Sequence, residues 1–207
     1  MNFSLPRRNR NPKLYLSSVG LPHAGQFAGL FTKKERRIVI VPTACNDVPE
    51  KQQHYIQERT QQLTALDFTV EVLDIAAFKG THTELAAKLA MFNGAWVLGG
   101  NTFYLNYWLR ESEFDTILPD LLKNGFVFGG ESAGAVVAGK TLHGVELLDD
   151  PSAAPEIVWE GLGLVDYSIL PHKGNPEYAA TYDQAYEEMR LFTPVKTLSD
   201  DNFIVTK

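Results

Sequence analysis

The chain of 207 residues has one cysteine, no apolar run long enough to cross a bilayer and no excess of positive charge. Each shortage removes a class of protein. A lone Cys45 excludes an internal disulfide framework, and with it the small stapled folds of secreted domains. A membrane-spanning helix needs about 20 consecutive apolar residues, and no stretch approaches that length. The N-terminus carries charge but lacks the apolar core of a signal peptide, so a cytoplasmic location is expected. A formal net charge of −6 opposes a nucleic-acid surface. The basic clusters, Arg7-Arg8-Asn9-Arg10 and Lys33-Lys34-Glu35-Arg36-Arg37, are short and read as a solvated tail and a solvated loop. Histidines, cysteines and carboxylates nowhere recur at metal-ligand spacing, so no metal or other cofactor is expected. Cys45 lies just past a β-branched run, without glycines around it, and reads as a quiet, partly buried thiol.

What is present suits one globular domain: 44% apolar and 21% charged residues, over a length that can bury a full core. Residues 1–12 are polar, with Pro6 and Pro12, and read as a flexible N-terminus; 13–207 read as a single domain. Short apolar runs at 13–17, 37–41, 68–73, 95–98 and 126–128 have strand character. Between them lie helical patterns over 50–66, from Thr83 to about Met91, from Asn101 to Leu109 and from Asp115 to Leu122. Strands alternating with helices predict an α/β fold: a doubly wound, mostly parallel sheet with helices on both faces. Past about residue 140 the pattern loosens into a loop, a strand at 167–170, a helix over 177–191, and a closing hairpin of 195–198 with 203–206.

The most specific stretch is Phe126-Val127-Phe128-Gly129-Gly130-Glu131-Ser132-Ala133-Gly134-Ala135. A buried strand running into Gly-x-Ser-x-Gly and then a small-residue segment is the layout of a nucleophile elbow. Ser132 would stand clear of the sheet on that turn, and the Ala133 amide can stabilise a developing oxyanion. The second glycine turn, Gly99-Gly100-Asn101-Thr102-Phe103, also ends a strand, so both turns face one crevice at the carboxyl edge of the sheet. It lacks a dinucleotide fingerprint and a P-loop lysine; an oxyanion donor from Gly100 or Gly99 is the better reading.

A serine needs a base, and histidine has the pKa for it. His54 and His82 fall on polar helical surfaces, His23 in a loop after the first strand, and His143 beyond the elbow helix. His172 follows a strand and Pro171, which aims it into the crevice. For the acid that orients it, Glu146, Asp149, Asp150, Asp200 and Asp201 all remain open.

The motifs Gly99-Gly100-Asn101-Thr102-Phe103, Gly130-Glu131-Ser132-Ala133-Gly134-Ala135, Gly161-Leu162-Gly163-Leu164 with Leu170-Pro171-His172, and Leu198-Ser199-Asp200-Asp201-Asn202-Phe203 occur together. In that order they resemble the peptidase E family, which also contains cyanophycinase, over nearly the whole chain from Lys13 on. The resemblance implies a fold like that of class I glutamine amidotransferases and a serine peptidase acting on short peptides, dipeptides among them. It implies Ser132 as nucleophile, His172 as base, and oxyanion donors at Gly100 and Ala133. The acid falls on Asp200, or on Glu146 or Asp149 as alternatives. Asn101 and Lys173 are candidate substrate contacts. Peptidase E prefers an N-terminal aspartate, and its segment after the histidine is rich in arginine. Here 175–188 has no arginine or lysine, so strict aspartyl specificity is not expected. The expected partner is a small peptide, with neither nucleic acid nor membrane. An esterase or amidase on the same machinery, and a silent binding protein on the same fold, are the competing readings.

Overall fold

In a computed structural model, which describes residues 11–32 and 35–207, five parallel strands and one antiparallel strand form the central sheet. The Arg7–Arg10 cluster, most of the N-terminal segment and the Lys33-Lys34 pair lie outside the described residues. The strands β1 (Lys13–Ser17), β2 (Arg36–Val41), β3 (Phe68–Val72), β4 (Gly94–Val97), β5 (Val127–Glu131) and β8 (Phe203–Thr206) lie in the order β3-β2-β4-β5-β1-β8. Their cores are continuous apolar runs because both faces are covered. Strand alternation divides the interior. Leu14, Leu16, Val39, Val41 and Val97 point to one face, where α3 (His82–Leu89), α4 (Thr102–Glu111) and α5 (Phe114–Lys123) pack. Tyr15, Ile38, Ile40 and Trp96 point to the other, under α1 (Ala24–Ala28) and α2 (Pro49–Thr64).

The expected closing hairpin does not form. Instead, β7 (Val195–Thr197) pairs in parallel with β6 (Ser168–Leu170) in a separate two-stranded sheet. β8 returns to the main sheet and pairs antiparallel with β1, Leu14 opposite Thr206 and Ser17 opposite Phe203. The outer edge of β1 offers more than a hairpin partner would. The Phe203 ring stacks on Tyr15 with centroids 4.8 Å apart. The link between β7 and β8 therefore bridges the two sheets, and it carries Asp200.

Other boundaries shift locally. The helix expected from Asp115 starts at Phe114, and Asp115 pairs instead with Arg110 at 2.5 Å. The helix expected from Thr83 starts at His82. The long helix expected over 177–191 is a short 3-10 turn, Pro176–Tyr178, followed by α7 (Tyr182–Met189). Asn175 caps the turn by accepting from the Glu177 amide at 3.0 Å, while Tyr182 anchors the helix on the Leu170 carbonyl at 3.2 Å. Among the described residues no helix is long and apolar enough to cross a membrane.

Candidate active site

The carboxyl ends of β1, β2, β4 and β5 open into a cavity of about 450 Å³, lined among others by Ser132, His172, Gly100, Asp149 and Lys51. Open α/β sheets bind ligands at this edge, where the strand order reverses. Here the chain leaves β2 towards β3 and then crosses back to β4, placing the post-β2 and post-β4 loops side by side.

Ser132 follows β5 and is the N-cap of the short helix α6 (Ala133–Val136), with φ 49° and ψ −116°. A non-glycine residue in this region is strained and persists only where its surroundings impose it. Its amide donates to the Ser17 and Ser18 carbonyls, both at 3.1 Å. The flanking glycines leave no alternative. A Cβ on Gly130 would stand 2.3 Å from the Gly134 carbonyl oxygen, and one on Gly134 would stand 2.3 Å from that of Val97.

Ser132 Oγ lies 2.9 Å from His172 Nε2, and His172 Nδ1 lies 2.9 Å from Asp200 Oδ1. His172 has φ 66°, held by its amide donating to Ser18 Oγ at 2.7 Å. Its ring stacks on Tyr178 at 4.6 Å. Ser18 Oγ in turn donates to Asp200 Oδ1 at 3.0 Å, and Asn175 Nδ2 donates to Asp200 Oδ2 at 2.9 Å. Burial alone would push the Asp200 carboxyl up, but the hydrogen bonds from His172, Ser18 and Asn175 outweigh it and hold the pKa below the usual carboxylate range. The group stays ionised at neutral pH. Its contribution to stability is lost only as pH falls through that lowered pKa.

Of the five candidate acids, then, Asp200 is the one in contact with His172. Glu146 accepts from the Gly144 amide at 2.7 Å, within its own turn. Asp149 stays in the cavity wall, but its Oδ2 accepts from the Thr102 amide at 2.9 Å and from Thr102 Oγ1 at 2.5 Å. Burial pushes its carboxyl up. Among the histidines only His172 lines the cavity. His23 sits at the N-cap position of α1 without a side-chain capping bond, His54 is exposed on α2, His82 pairs with Glu113, and His143 is stacked between Trp159 and Phe192.

The turn after β4 meets the elbow directly, since a Cβ on Gly99 would stand 2.9 Å from Ser132 Cβ. Gly100 has φ 141°, and a Cβ there would stand 2.1 Å from the Ala44 carbonyl oxygen. Neither the Gly100 nor the Ala133 amide has a protein acceptor among the described residues. Asn101 borders the cavity, yet both ends of its side chain are engaged: Oδ1 accepts from the Tyr104 amide at 2.9 Å and Nδ2 donates to the Asp150 carbonyl at 2.9 Å. Lys173 is exposed and does not line the cavity. The cations that do reach the wall are Lys51 and Arg59 of α2. Cys45 is more deeply buried than expected and donates to the Gly99 carbonyl at 2.8 Å; burial pushes its thiol up to about 11.

Sequence reasoning missed the Glu131–Arg59 pair. Glu131, inside the elbow motif, is buried with Arg59 Nε on Oε1 and Nη2 on Oε2, each at 2.9 Å. The Gly20 amide at 2.6 Å and Trp96 Nε1 at 3.1 Å complete its donors. A charge in an otherwise apolar run is itself a signal of a buried partner, though it does not say which. Among the described residues no group of three or more His, Cys, Asp or Glu could hold a metal ion.

Comparison with known proteins adds the family. The profile of peptidase family S51 matches residues 18–207. An uncharacterised peptidase of Listeria monocytogenes serovar 1/2a is 31% identical over 155 residues, covering 72% of this chain and 74% of its own. A peptidase E of Nostoc is 26% identical over 163 residues, covering 77% of this chain and 63% of its own. A crystal structure from Listeria monocytogenes EGD-e, of a protein provisionally named peptidase E, superposes with a TM-score of 0.79 at 25% identity, over 95% of this chain and 98% of that one. A peptidase from an acI-B1 Actinobacterium shares the fold, with a TM-score of 0.71 at 18% identity over 96% and 85% of the two chains.

Proposed function

The chain belongs to peptidase family S51, and we propose that it is a serine peptidase that hydrolyses short peptides, dipeptides among them, with Ser132 as its nucleophile. The observation that carries this reading is the 2.9 Å contact between Ser132 Oγ and His172 Nε2 on a strained turn at the cavity wall. In the competent tautomer Nδ1–H donates to Asp200 and Nε2 accepts the serine proton. Ser132 Oγ then attacks the scissile carbonyl, and the Gly100 and Ala133 amides receive the oxyanion. His172 returns the proton to the leaving amine, and water repeats the sequence to release the acyl group. The cavity, about 450 Å³, lies in the range that encloses small ligands. The direct test is a dipeptide library incubated with the purified protein and read by mass spectrometry; release of free amino acids is the expected result, and an untouched library would sink the reading.

Two variants test the assigned roles. Asp200→Asn keeps the shape but favours the wrong imidazole tautomer, and is expected to lower kcat by about 10⁴-fold, as in comparable triads. The same change at a carboxylate that does not orient His172 leaves kcat far less affected, so equal losses in Asp200→Asn and Glu146→Gln would remove Asp200 from its role. Gly100→Ala forces the turn to move, since its Cβ would overlap Ala44. Displacing one oxyanion donor costs about 10²–10³ in kcat with little change in KM. A loss confined to KM would argue that this amide binds substrate rather than the oxyanion.

A further inference from the structure

Asp149 is a carboxylate with one half of its bonding capacity committed and the other half open. Oδ2 takes both hydrogen bonds from Thr102, whereas Oδ1 has no protein partner among the described residues. The Thr102 bonds account for a helix cap on α4 and leave Oδ1 unexplained. No ion pair is formed by Asp149 among the described residues; of the two cations in the cavity wall, Lys51 acts on it without a direct contact and Arg59 is matched by Glu131 and Glu58. Burial pushes the Asp149 carboxyl up and outweighs the opposite pull of the Thr102 hydrogen bonds and of the nearby His172 and Lys51.

Its placement says which cation fits. Thr102 is two residues beyond Gly100, and the next loop residue is tied to the same turn by Asn101 Nδ2 on the Asp150 carbonyl at 2.9 Å. The carboxylate and the amide that would hold the substrate carbonyl oxygen are thus parts of one braced unit. In the first residue of a peptide, the α-nitrogen is two bonds from the carbonyl carbon, so a carbonyl bound at Gly100 brings its own ammonium group near this wall. We propose that Asp149 binds the free α-ammonium group of the substrate through Oδ1, so that hydrolysis takes place at the first peptide bond of an unblocked N-terminus. The proposal rests on the site reading above, and it assigns Asp149 to substrate recognition rather than to orienting His172.

The test compares the dipeptide library with its N-acetylated counterpart, on the wild-type protein and on Asp149→Asn. Asparagine keeps the acceptor towards Thr102 and loses the charge, and thermal melts check that the variant folds. The wild type is expected to favour free-amine peptides in kcat/KM by about 10²-fold or more, the range of a lost buried charge pair. Asp149→Asn is expected to bring that ratio to below about 10 by lowering the free-amine rates alone. An equal loss on both libraries would mean that Asp149 serves the chemistry, and an unchanged ratio that it does not recognise the amine; either overturns the proposal. Calorimetric titration of both libraries into Ser132→Ala and Ser132→Ala/Asp149→Asn separates recognition from turnover. Free-amine binding that disappears only in the double variant supports the proposal even if Ser132 proves not to be the nucleophile. Equal binding of the two libraries, or binding of neither, overturns it.

Discussion

Ser132→Ala is expected to lose about 10⁴–10⁶ of kcat on any dipeptide the wild type cleaves, in line with removal of a nucleophile from a triad that acts as a unit. The thermal melt should hardly move. Ser132 Oγ makes its hydrogen bond to His172 and to no other described residue, so its removal leaves no buried backbone group unpaired. Alanine meets the same backbone strain at φ 49° as serine does, and both glycine contacts of the elbow are unchanged. The pairing of the two readouts matters: a loss of activity with a collapsed melt would speak for the elbow's packing, whereas the account requires the loss with a preserved fold.

The largest effect on stability is expected at Glu131. Its carboxylate accepts from Arg59, the Gly20 amide and Trp96, and both it and Arg59 are buried. Glu131→Ala would leave Nε and Nη2 of the Arg59 guanidinium, an amide and an indole N–H without their acceptor, with only Nη1 still held by Glu58 and Gln62. Breaking one side of a buried pair costs about 3–5 kcal/mol. For a domain of this size that is roughly 6–20 °C of Tm, at about 2–4 °C per kcal/mol. Because the broken buried pair is the cause, Glu131→Leu combined with Arg59→Met should recover much of the loss. A single variant that melts within about 2 °C of the wild type would contradict this role for the pair. The pair also has a geometric consequence. Gly20 belongs to the loop that carries Ser18, and Ser18 holds both His172 and Asp200. Glu131 therefore ties the elbow to the segment that positions its partners.

The sheet was legible where burial writes a local pattern. β1, β2, β4 and β5 are apolar runs ending in polar or glycine-rich turns, and Asn101 marks the start of α4 by its capping chemistry. The elbow and His172 were legible for the same reason, since each is a strand end followed by a turn. What was not legible depends on residues far apart in the chain. Strands β7 and β8, with turn formers between them, have the local look of a hairpin; that they belong to different sheets is decided by β6 and by the open edge of β1. The choice among Glu146, Asp149 and Asp200 turns on that pairing, because the β7–β8 link is what carries Asp200 to His172. Lys51 and Arg59 reach the cavity from a helix whose sequence reads as an ordinary amphipathic surface. Nothing near Glu131 in the chain names Arg59, 72 residues away, as its partner.

The central claim is that Ser132 is an activated nucleophile, and its most direct measurement is reaction of the folded protein with a small fluorophosphonate, followed by intact mass and peptide mapping. The account predicts one phosphonyl adduct per chain, on Ser132, and its loss in His172→Ala, where no base remains to take the serine proton. A wild-type chain left unmodified, or modified at another residue, would contradict it.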